Sequence, residues 1–381
     1  QVAMLKIVSK DGNPILHIYD ADDMDKDPFV VDSNPMEITS YYWASDDHIV
    51  FTARLRVRKL VKRQEDTVYE YRIAILDVAD QKFEDFDAAW PRVENLLPGV
   101  PNKIIISEQP GVEENLSSEK AFRPRAYYEM DLERKTRKLL IRGKWSLAQI
   151  EFDSQGNPRL GRGYDAGKHE YIYFYRDPGE KRWRDVYRHS EDNFDLWFEE
   201  VVGFDEAVPG NLLVKAFNGD DKLGLWSFNP NTKNFDELIY RRSDVDVTGV
   251  RMNSNSWQHP DRAAAVSYFT DKPHYEYFDE IEDATYQQLY DLIPNPYWVN
   301  IGSRSRDGSS LIATNQGPRD PGSYYLLHKG EFKFIGSRKP MLERDGLADL
   351  KYINYKARDG RDLRAYVTIP NGEAPYPTGV L

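Results

Sequence analysis

A tight turn followed by an apolar strand recurs along this chain at a nearly constant interval. The turns are built from Asp, Asn, Gly and Pro, the residues that favour tight turns. They lie near residues 46, 99, 154, 209, 260 and 307, at intervals of about 47 to 55 residues. Apolar strands such as residues 103–106 and 211–214 follow them. Strands repeated at this period, with no helical period between them, are typical of a repeat built from small β-sheets.

Most units carry a second hairpin after the first. Its leading strands lie at 71–76, 126–130, 171–175, 224–228 and 324–327, each followed by a polar turn. Four strands in about 50 residues make a β-propeller blade. The sequence therefore predicts an all-β chain with a seven-bladed β-propeller over residues 1–340. The first blade is expected to lack its opening strand, with residues 1–8 and 15–19 as its second and third strands; the missing strand would lie upstream or come from elsewhere in the ring.

The last 35 residues have a different pattern. Alternating strands at 350–357 and 362–370 flank Asp359 and Gly360, a strong hairpin signal. Two strands alone are marginally stable in water. Residues 347–381 are therefore predicted to open a second domain that lies mostly beyond this chain.

Composition excludes several classes of function. The chain has 63 acidic against 51 basic residues, a net charge of −12, which disfavours nucleic-acid binding. No apolar run approaches the roughly 18 residues of a membrane span, and no signal peptide is visible, although a removed one would leave no trace. The absence of cysteine rules out disulfides, thiolate metal sites and a cysteine nucleophile. No metal and no cofactor are predicted.

Two segments interrupt the repeat. Residues 272–294 predict a short helix that ends at Pro294, with Phe278, Ile281, Leu289 and Leu292 on one apolar face. The acidic side of this helix consists of Asp279, Glu280, Glu282 and Asp283. Two interpretations are open: these carboxylates hold a cation or an amine, or they form a solvated face at a helix start, which is the favoured interpretation.

The second segment, residues 54–69, places three arginines on one strand face. This stripe binds an anionic ligand or a partner, or it protects an exposed strand from edge pairing, which is the favoured interpretation. The three residues are Arg54, Arg56 and Arg58.

No catalytic motif is present. Gly302-Ser303-Arg304-Ser305 lacks the second glycine of a G-x-S-x-G elbow and starts a blade strand. The glycines from Gly161 to Gly167 do not match a dinucleotide loop and lie between strands. The histidines are scattered without a paired nucleophile: His17, His48, His169, His189, His259, His274 and His328. Tryptophans at blade positions are expected to pack between blades, with one or two lining the channel: Trp43, Trp197, Trp226 and Trp298.

Several of these features together resemble the prolyl oligopeptidase family of serine peptidases. They are the seven irregular blades, the helix before Pro294, the Asp307-Gly308 turn, the segment 320–325 and the exit segment 352–370. The similarity is greatest to the bacterial group akin to acylaminoacyl and dipeptidyl peptidases. The resemblance implies a propeller followed by an α/β-hydrolase domain that carries the serine, the aspartate and the histidine. These would all lie beyond Leu381, so no catalytic residue is assigned within this chain, which alone should be inactive.

The resemblance also implies a function for the chain. The chain is expected to be the substrate-gating part of a serine peptidase that acts on short peptides, in the bacterial cytoplasm or periplasm. Its expected partners are peptide substrates and the hydrolase domain that packs on the propeller, and a homo-oligomer stays open. Two alternatives stay open, a non-catalytic peptide- or protein-binding propeller and a related esterase. Glu199 and Glu200 are similar to the glutamate pair that holds a substrate amine in dipeptidyl peptidases. They lie on a predicted blade strand, however, where adjacent side chains point to opposite faces, so that role is not carried over.

Overall fold

The computed structural model describes residues 1–10, 12–61, 64–109, 124–190, 198–373 and 379, and leaves out the side chains of 58–61 and 64–68. The chain divides into two compact units, Gln1–Phe194 and Asp195–Leu381. Each unit is a series of small antiparallel sheets in which neighbouring strands follow one another along the chain.

The first unit contains four sheets. The first sheet has three strands, β1 (Val2–Lys6), β2 (Ile15–Tyr19) and β3 (Phe29–Val31). The second has β4 (Glu37–Trp43), β5 (His48–Val61), β6 (Gln64–Asp77) and β7 (Lys82–Asp87). The third has β8 (Arg92–Asn95), β9 (Lys103–Glu108), β10 (Ala126–Asp131) and β11 (Thr136–Arg142). The fourth has β12 (Gln149–Phe152), β13 (Pro158–Asp165), β14 (Glu170–Tyr175) and β15 (Arg184–Ser190).

The second unit contains three such sheets and a hairpin. The fifth sheet has β16 (Phe198–Phe204), β17 (Leu212–Ala216), β18 (Gly224–Asn229) and β19 (Asn234–Tyr240). The sixth has β20 (Val247–Met252), β21 (Ala263–Phe269) and β22 (Pro273–Tyr277), followed by helix α1 (Glu280–Leu292). The seventh has β23 (Trp298–Arg304), β24 (Ser310–Gly317), β25 (Asp320–His328) and β26 (Glu331–Ser337). A single 3-10 turn (Arg344–Gly346) then leads to β27 (Leu350–Lys356) and β28 (Asp362–Thr368).

This architecture is a seven-bladed β-propeller, as the repeat predicts. Five of the six predicted turns connect the first and second strands of four-stranded blades, and the turn near residue 260 connects the first two strands of the sixth blade; the first blade has three strands. The sixth blade departs from the expected four strands, because only three described strands pair there before the chain enters α1.

Apolar side chains on alternating strand positions form the core between adjacent blades. In the first unit, Leu16 and Ile18 of blade one pack with Ile49 and Phe51 of blade two. The other face of blade two packs Ile73 and other isoleucines against blade three. Fully burying such a side chain contributes about 1.5–3 kcal/mol. Both faces of a blade are therefore apolar, which explains the short apolar runs in the sequence.

The helix exists where the sequence predicts it, but its buried face differs from the prediction. Ile281 is 74% exposed and Leu292 is 44% exposed. Phe278 precedes the helix and is 41% exposed. The buried positions of the helix are Glu282, Tyr286 and Leu289. A tyrosine and a carboxylate thus replace two of the expected aliphatic residues, and hydrophobicity alone gives no signal for that choice.

The acidic side of the helix is only partly solvated, which corrects the favoured interpretation. Asp279 caps the helix and accepts hydrogen bonds from the backbone N–H groups of Ile281 and Glu282 at 3.0 and 3.2 Å. Glu282 is 3% exposed and lies 3.2 Å from Arg304. Two of the four carboxylates therefore serve the fold: one satisfies the helix start and the other forms a buried ion pair.

The arginine stripe lies on a long two-stranded ribbon. β5 and β6 pair over 14 residues each, twice the length of β4 in the same blade. Arg54 donates to Glu37 at 2.7 Å and its guanidinium lies over the Tyr69 ring. Its pKa is raised by the hydrogen bond to Glu37. Arg54 is thus occupied within the chain; the side chain of Arg58 lies outside the described residues.

Candidate functional site

A β-bulge brings two glutamates together in blade five. In β16, Phe198 pairs with Ala216 while Glu200 pairs with Lys215, so the strand register skips Glu199. Such an extra residue changes the direction of the side chains around it. As a result both carboxylates reach one cation: Lys215 Nζ lies 3.7 Å from Glu199 Oε2 and 3.3 Å from Glu200 Oε2.

This geometry corrects the sequence argument about the pair. Glu199 and Glu200 lie on a blade strand, as predicted, but the alternation that would separate them is broken at that point. Trp197, just before them, lies outside the described residues. The sequence holds no clear signal for the bulge, since nothing in its residue types distinguishes a bulged strand from a regular one.

Lys215 is the centre of this cluster. It is 4% exposed, and its ammonium group also donates to the carbonyl oxygen of Thr248 at 3.4 Å. A buried ammonium needs such partners, because an uncompensated charge is costly in the protein interior. The side chains of Glu199 and Glu200 are 40% and 46% exposed. The cluster therefore presents two carboxylates to solvent and one neutralising cation beneath them.

A second polar cluster joins blades six and seven. Arg251 of β20 donates to Asn300 Oδ1 at 2.8 Å and to the Tyr277 hydroxyl at 3.2 Å. Its guanidinium lies 4.3 Å from the ring centre of Tyr275, whose hydroxyl donates to the same Asn300 oxygen at 3.1 Å. Burial raises the pKa of Tyr277 to about 12. Arg251 is thus held in one orientation by three neighbours.

The histidines are dispersed, but two of them bind serines, which the sequence argument missed. Ser310 Oγ lies 2.7 Å from His328 Nδ1, and Ser45 Oγ lies 3.0 Å from His48 Nδ1. Ser45 also accepts a hydrogen bond from the backbone N–H of His48, so the pair closes a turn. Ser310 donates its backbone N–H to Ser305 at a similar turn. No G-x-S-x-G sequence surrounds either serine, and both pairs have a structural explanation.

The glycines, the serine and the tryptophans that the sequence singles out lie at ordinary positions in the blades. Ser303 lies within β23, as predicted. Gly161 and Gly163 lie within β13 rather than between strands, which corrects the sequence-based expectation. Trp43 packs against the core between blades one and two. Trp226 donates to the Ala216 carbonyl at 3.1 Å, whereas Trp298 is 47% exposed.

A cavity of about 310 Å³ lies beside the last strand of blade seven. Its walls are mainly apolar, with Pro294, Tyr325, Phe334 and Leu342 among them, and Arg344 provides its charge. Arg344 donates to Ser323 Oγ at 2.6 Å and lies 3.5 Å from buried Asp320. The cavity is thus lined both by blade seven and by the segment that leads to the hairpin.

Within the described parts of the chain, no three His, Asp or Glu side chains are grouped so that they could hold a metal ion. None of the described helices has the length and apolar character that a membrane crossing requires.

Comparison with solved structures connects these blades to one group of enzymes. The chain superposes on a prolyl endopeptidase with a TM-score of 0.57 and 10% identity, over 94% of this chain and 51% of that one. Ligand-free prolyl oligopeptidase B from Galerina marginata gives a TM-score of 0.56 and 10% identity, over 95% and 53%. The same enzyme bound to a 25mer macrocyclization substrate gives 0.56 and 9%, over 93% and 51%.

The fold is that of the propeller portion of prolyl oligopeptidases. The chain spans about half the length of these solved structures. No protein-family model and no curated protein sequence matches it. At 10% identity the likeness concerns the fold alone.

Proposed function

We propose that this chain is the substrate-gating propeller of a serine peptidase that cleaves short peptides, with its nucleophile, base and acid in an α/β-hydrolase domain outside residues 1–381. The superposition on prolyl oligopeptidases over more than nine-tenths of the chain supports this proposal most strongly. A propeller provides a central channel, and such a channel admits extended chains and excludes folded proteins by size.

The hairpin β27–β28 supports a second domain after residue 346. Its strands pair in register from Leu350 with Thr368 to Lys356 with Asp362. One face of the pair carries Ile353, Tyr355 and Leu363, which are 41%, 49% and 38% exposed. An apolar face of this kind normally packs against further strands or a helix. We assign it to the start of the hydrolase sheet.

The opposite face of the hairpin contacts the propeller. The Tyr366 hydroxyl donates to the carbonyl oxygen of Thr270, and the Tyr366 and Phe269 rings meet edge to face, 6.0 Å apart. Arg364 lies 3.8 Å from Asp244. These contacts fix the hairpin on blades five and six, so a domain built on it would be held against the propeller.

The polar clusters on the first strands supply groups that could bind a peptide at positions distant from the bond that is cut. In a propeller the first strand of each blade is the innermost one. Glu199, Glu200, Arg251 and Asn300 lie on such strands. We propose that they contact the substrate backbone or its charged termini, which would affect KM more than kcat.

The test is fluorophosphonate labelling of the longer natural protein, read by intact mass and peptide mapping, beside this 381-residue chain. The proposal expects one probe per natural protein, on a serine outside residues 1–381, and no labelling of this chain. Labelling of Ser310 or Ser45 would place the chemistry in the propeller and contradict the proposal. A natural protein that takes no probe would instead be a non-catalytic binding propeller. Peptide and ester substrates, compared on the labelled enzyme, separate a peptidase from an esterase.

A further inference from the structure

The outer strand of blade three has an unusual combination of side chains. β11 consists of Thr136–Arg142 and contains Arg137, Lys138 and Arg142 but no carboxylate. Among the outer strands of the four-stranded blades in the described residues, it alone has no acidic residue; the others are β7, β15, β19 and β26. The basic run extends to Lys144. It therefore opposes the net charge of −12 of the chain.

Apolar side chains are exposed on the same strand. Leu139 is 42% exposed and Leu140 is 38% exposed, and Trp145, just beyond the strand, is 60% exposed. A register shift in the β10–β11 pairing leaves Leu140 without a partner residue. Cations on an outer strand are a common protection against edge pairing. That protection explains the lysine and the arginines but not two leucines and a tryptophan exposed beside them.

The basic side chains of this strand differ in their contacts. Arg137 pairs with Glu108, and its guanidinium lies 5.4 Å from the ring centre of Tyr128. Lys138, Arg142 and Lys144 are exposed, and in the described part of the chain they have no ion-pair partner. They stand on both sides of the strand, since Lys138 is opposite Glu129 and Arg142 is opposite Ala126, on opposite faces of β10.

The backbone of β11 is also available. β10 is the only described strand that pairs with β11, so its outer N–H and C=O groups form an open edge. An open edge takes another strand by β-augmentation, in which main-chain hydrogen bonds give affinity and flanking side chains give specificity.

We propose that β11 is a docking edge for an extended acidic segment of a partner protein. Carboxylates on both faces of the added strand would meet Lys138 and Arg142, and its apolar residues would cover Leu139 and Leu140. A second copy of β11 does not fit, because antiparallel self-pairing would set cations against cations. An anionic lipid surface would meet the charges and the apolar groups but offers no backbone groups to the edge.

The probe is a labelled eight-residue peptide of alternating Glu-Glu and Val-Val pairs, blocked at both ends, which places carboxylates and apolar groups on both faces of an extended strand. Fluorescence anisotropy with the full chain should show binding that weakens as salt rises from about 0.05 to about 0.3 M. The same peptide with lysine in place of each glutamate should not bind. Hydrogen exchange should show new protection of the amides of β11, because the added strand occupies the outer backbone groups.

The double variant K138E/R142E should weaken binding of the acidic peptide about tenfold or more, since two attractive pairs become repulsive. Both side chains are exposed, so the melting temperature should fall by only a few degrees, mainly because K138E sets a carboxylate opposite Glu129. The matched control K168E/K181E makes the same change in net charge at exposed positions in blade four and its outer loop, and it should bind as the parent does.

Three results would each overturn the proposal. One is the absence of binding at low salt. Another is binding without strand addition. It would appear as an equal loss of affinity in K138E/R142E and K168E/K181E, or as amides of β11 that stay unprotected when the peptide binds. The third is a chain that does not bind the acidic peptide but binds phosphatidylserine vesicles through Lys138 and Arg142. That result would assign the edge to a lipid surface.

Discussion

The ammonium nitrogen of Lys215 lies 3.3 Å from a carboxylate oxygen of Glu200, although Lys215 is buried and Glu200 reaches solvent. The same ammonium lies 3.7 Å from Glu199. One buried cation therefore holds together two carboxylates that would otherwise repel each other. Lys215 neutralises part of their charge from beneath, while the side chains of both glutamates still reach solvent.

Replacing this cation should destabilise blade five. Lys215→Met keeps most of the apolar stem and removes the cation that the two carboxylates share. Because both carboxylates are partly exposed, we expect a loss of about 1–3 kcal/mol in the free energy of unfolding, less than for a fully buried pair. Urea unfolding at neutral pH measures it. Adding Glu199→Gln and Glu200→Gln should restore part of the loss, and Lys168→Met, at an exposed turn, should leave the midpoint unchanged. A Lys215→Met protein as stable as the parent would contradict this account.

The segment that leaves blade seven should depend on Asp320. This side chain is 1% exposed and accepts hydrogen bonds from Asn315 Nδ2 at 2.8 Å, Gly322 N at 3.0 Å and Ser323 Oγ at 2.7 Å. Asp320→Ala removes the acceptor that these three donors share, and we expect a loss of about 2–4 kcal/mol. Thermal and urea unfolding measure it.

The control for Asp320 is Asp349→Ala. Asp349 is 67% exposed and lies 3.7 Å from Arg319, so its removal should cost at most about 1 kcal/mol. Equal losses for the two variants would show that the buried network is not what stabilises this region.

The repeat of turns and strands predicted most of the propeller because its signals are local. Gly308 and Gly360, for example, have φ angles of +77° and +87°, and glycine is the residue that adopts such angles without strain. The hairpin register likewise follows from its two-residue alternation. Positions of this kind are fixed by neighbours in sequence, which is why single-sequence reasoning finds them.

The polar site could not be predicted in the same way. The meeting of Glu199 with Lys215 depends on one extra residue in β16, and the buried Glu282 depends on Arg304 arriving from another strand. Both are contacts between segments distant in sequence. The alternation of side chains along a strand and the period of a helix contain no information about such contacts. They therefore predicted the wrong side-chain direction in β16 and the wrong buried face of α1.

Alkaline pH should destabilise the first unit through Tyr127. Its side chain is 1% exposed, and burial raises the pKa of its hydroxyl to about 12, whereas an unfolded tyrosine titrates near 10. The folded state therefore keeps its proton longer than the unfolded state. Stability from this group is fully present below pH ~10 and is lost as the pH rises from about 10 to about 12.

Tyr127→Phe should make that alkaline loss shallower, which urea unfolding at several pH values would measure. Because the hydroxyl accepts a hydrogen bond from the backbone N–H of Ile150 at 2.9 Å, the variant should also lose about 1–3 kcal/mol at neutral pH. An unchanged pH slope would show that the hydroxyl titrates alike in both states.

The hairpin contact provides a test that links stability to the proposed second domain. Tyr366→Phe removes only the hydrogen bond to the Thr270 carbonyl, with an expected loss of about 0.5–1.5 kcal/mol. Tyr366→Ala also removes the ring contact with Phe269, which adds about 0.5–1.5 kcal/mol. In this chain, hydrogen exchange of Leu350–Thr368 should accelerate in that order.

Tyr355→Ala is the matched control, because Tyr355 lies on the opposite, exposed face of the same hairpin. In this chain it should leave the exchange of the hairpin amides close to that of the parent. In the longer natural protein it should cost about 2–4 kcal/mol, because the proposed hydrolase sheet would cover that side chain and its loss would leave a cavity. If Tyr355→Ala has no effect on the longer protein either, the exposed face is not an interdomain surface. If it loosens the hairpin in this chain, the two faces are not independent and the contact with Phe269 and Thr270 is not what holds the hairpin.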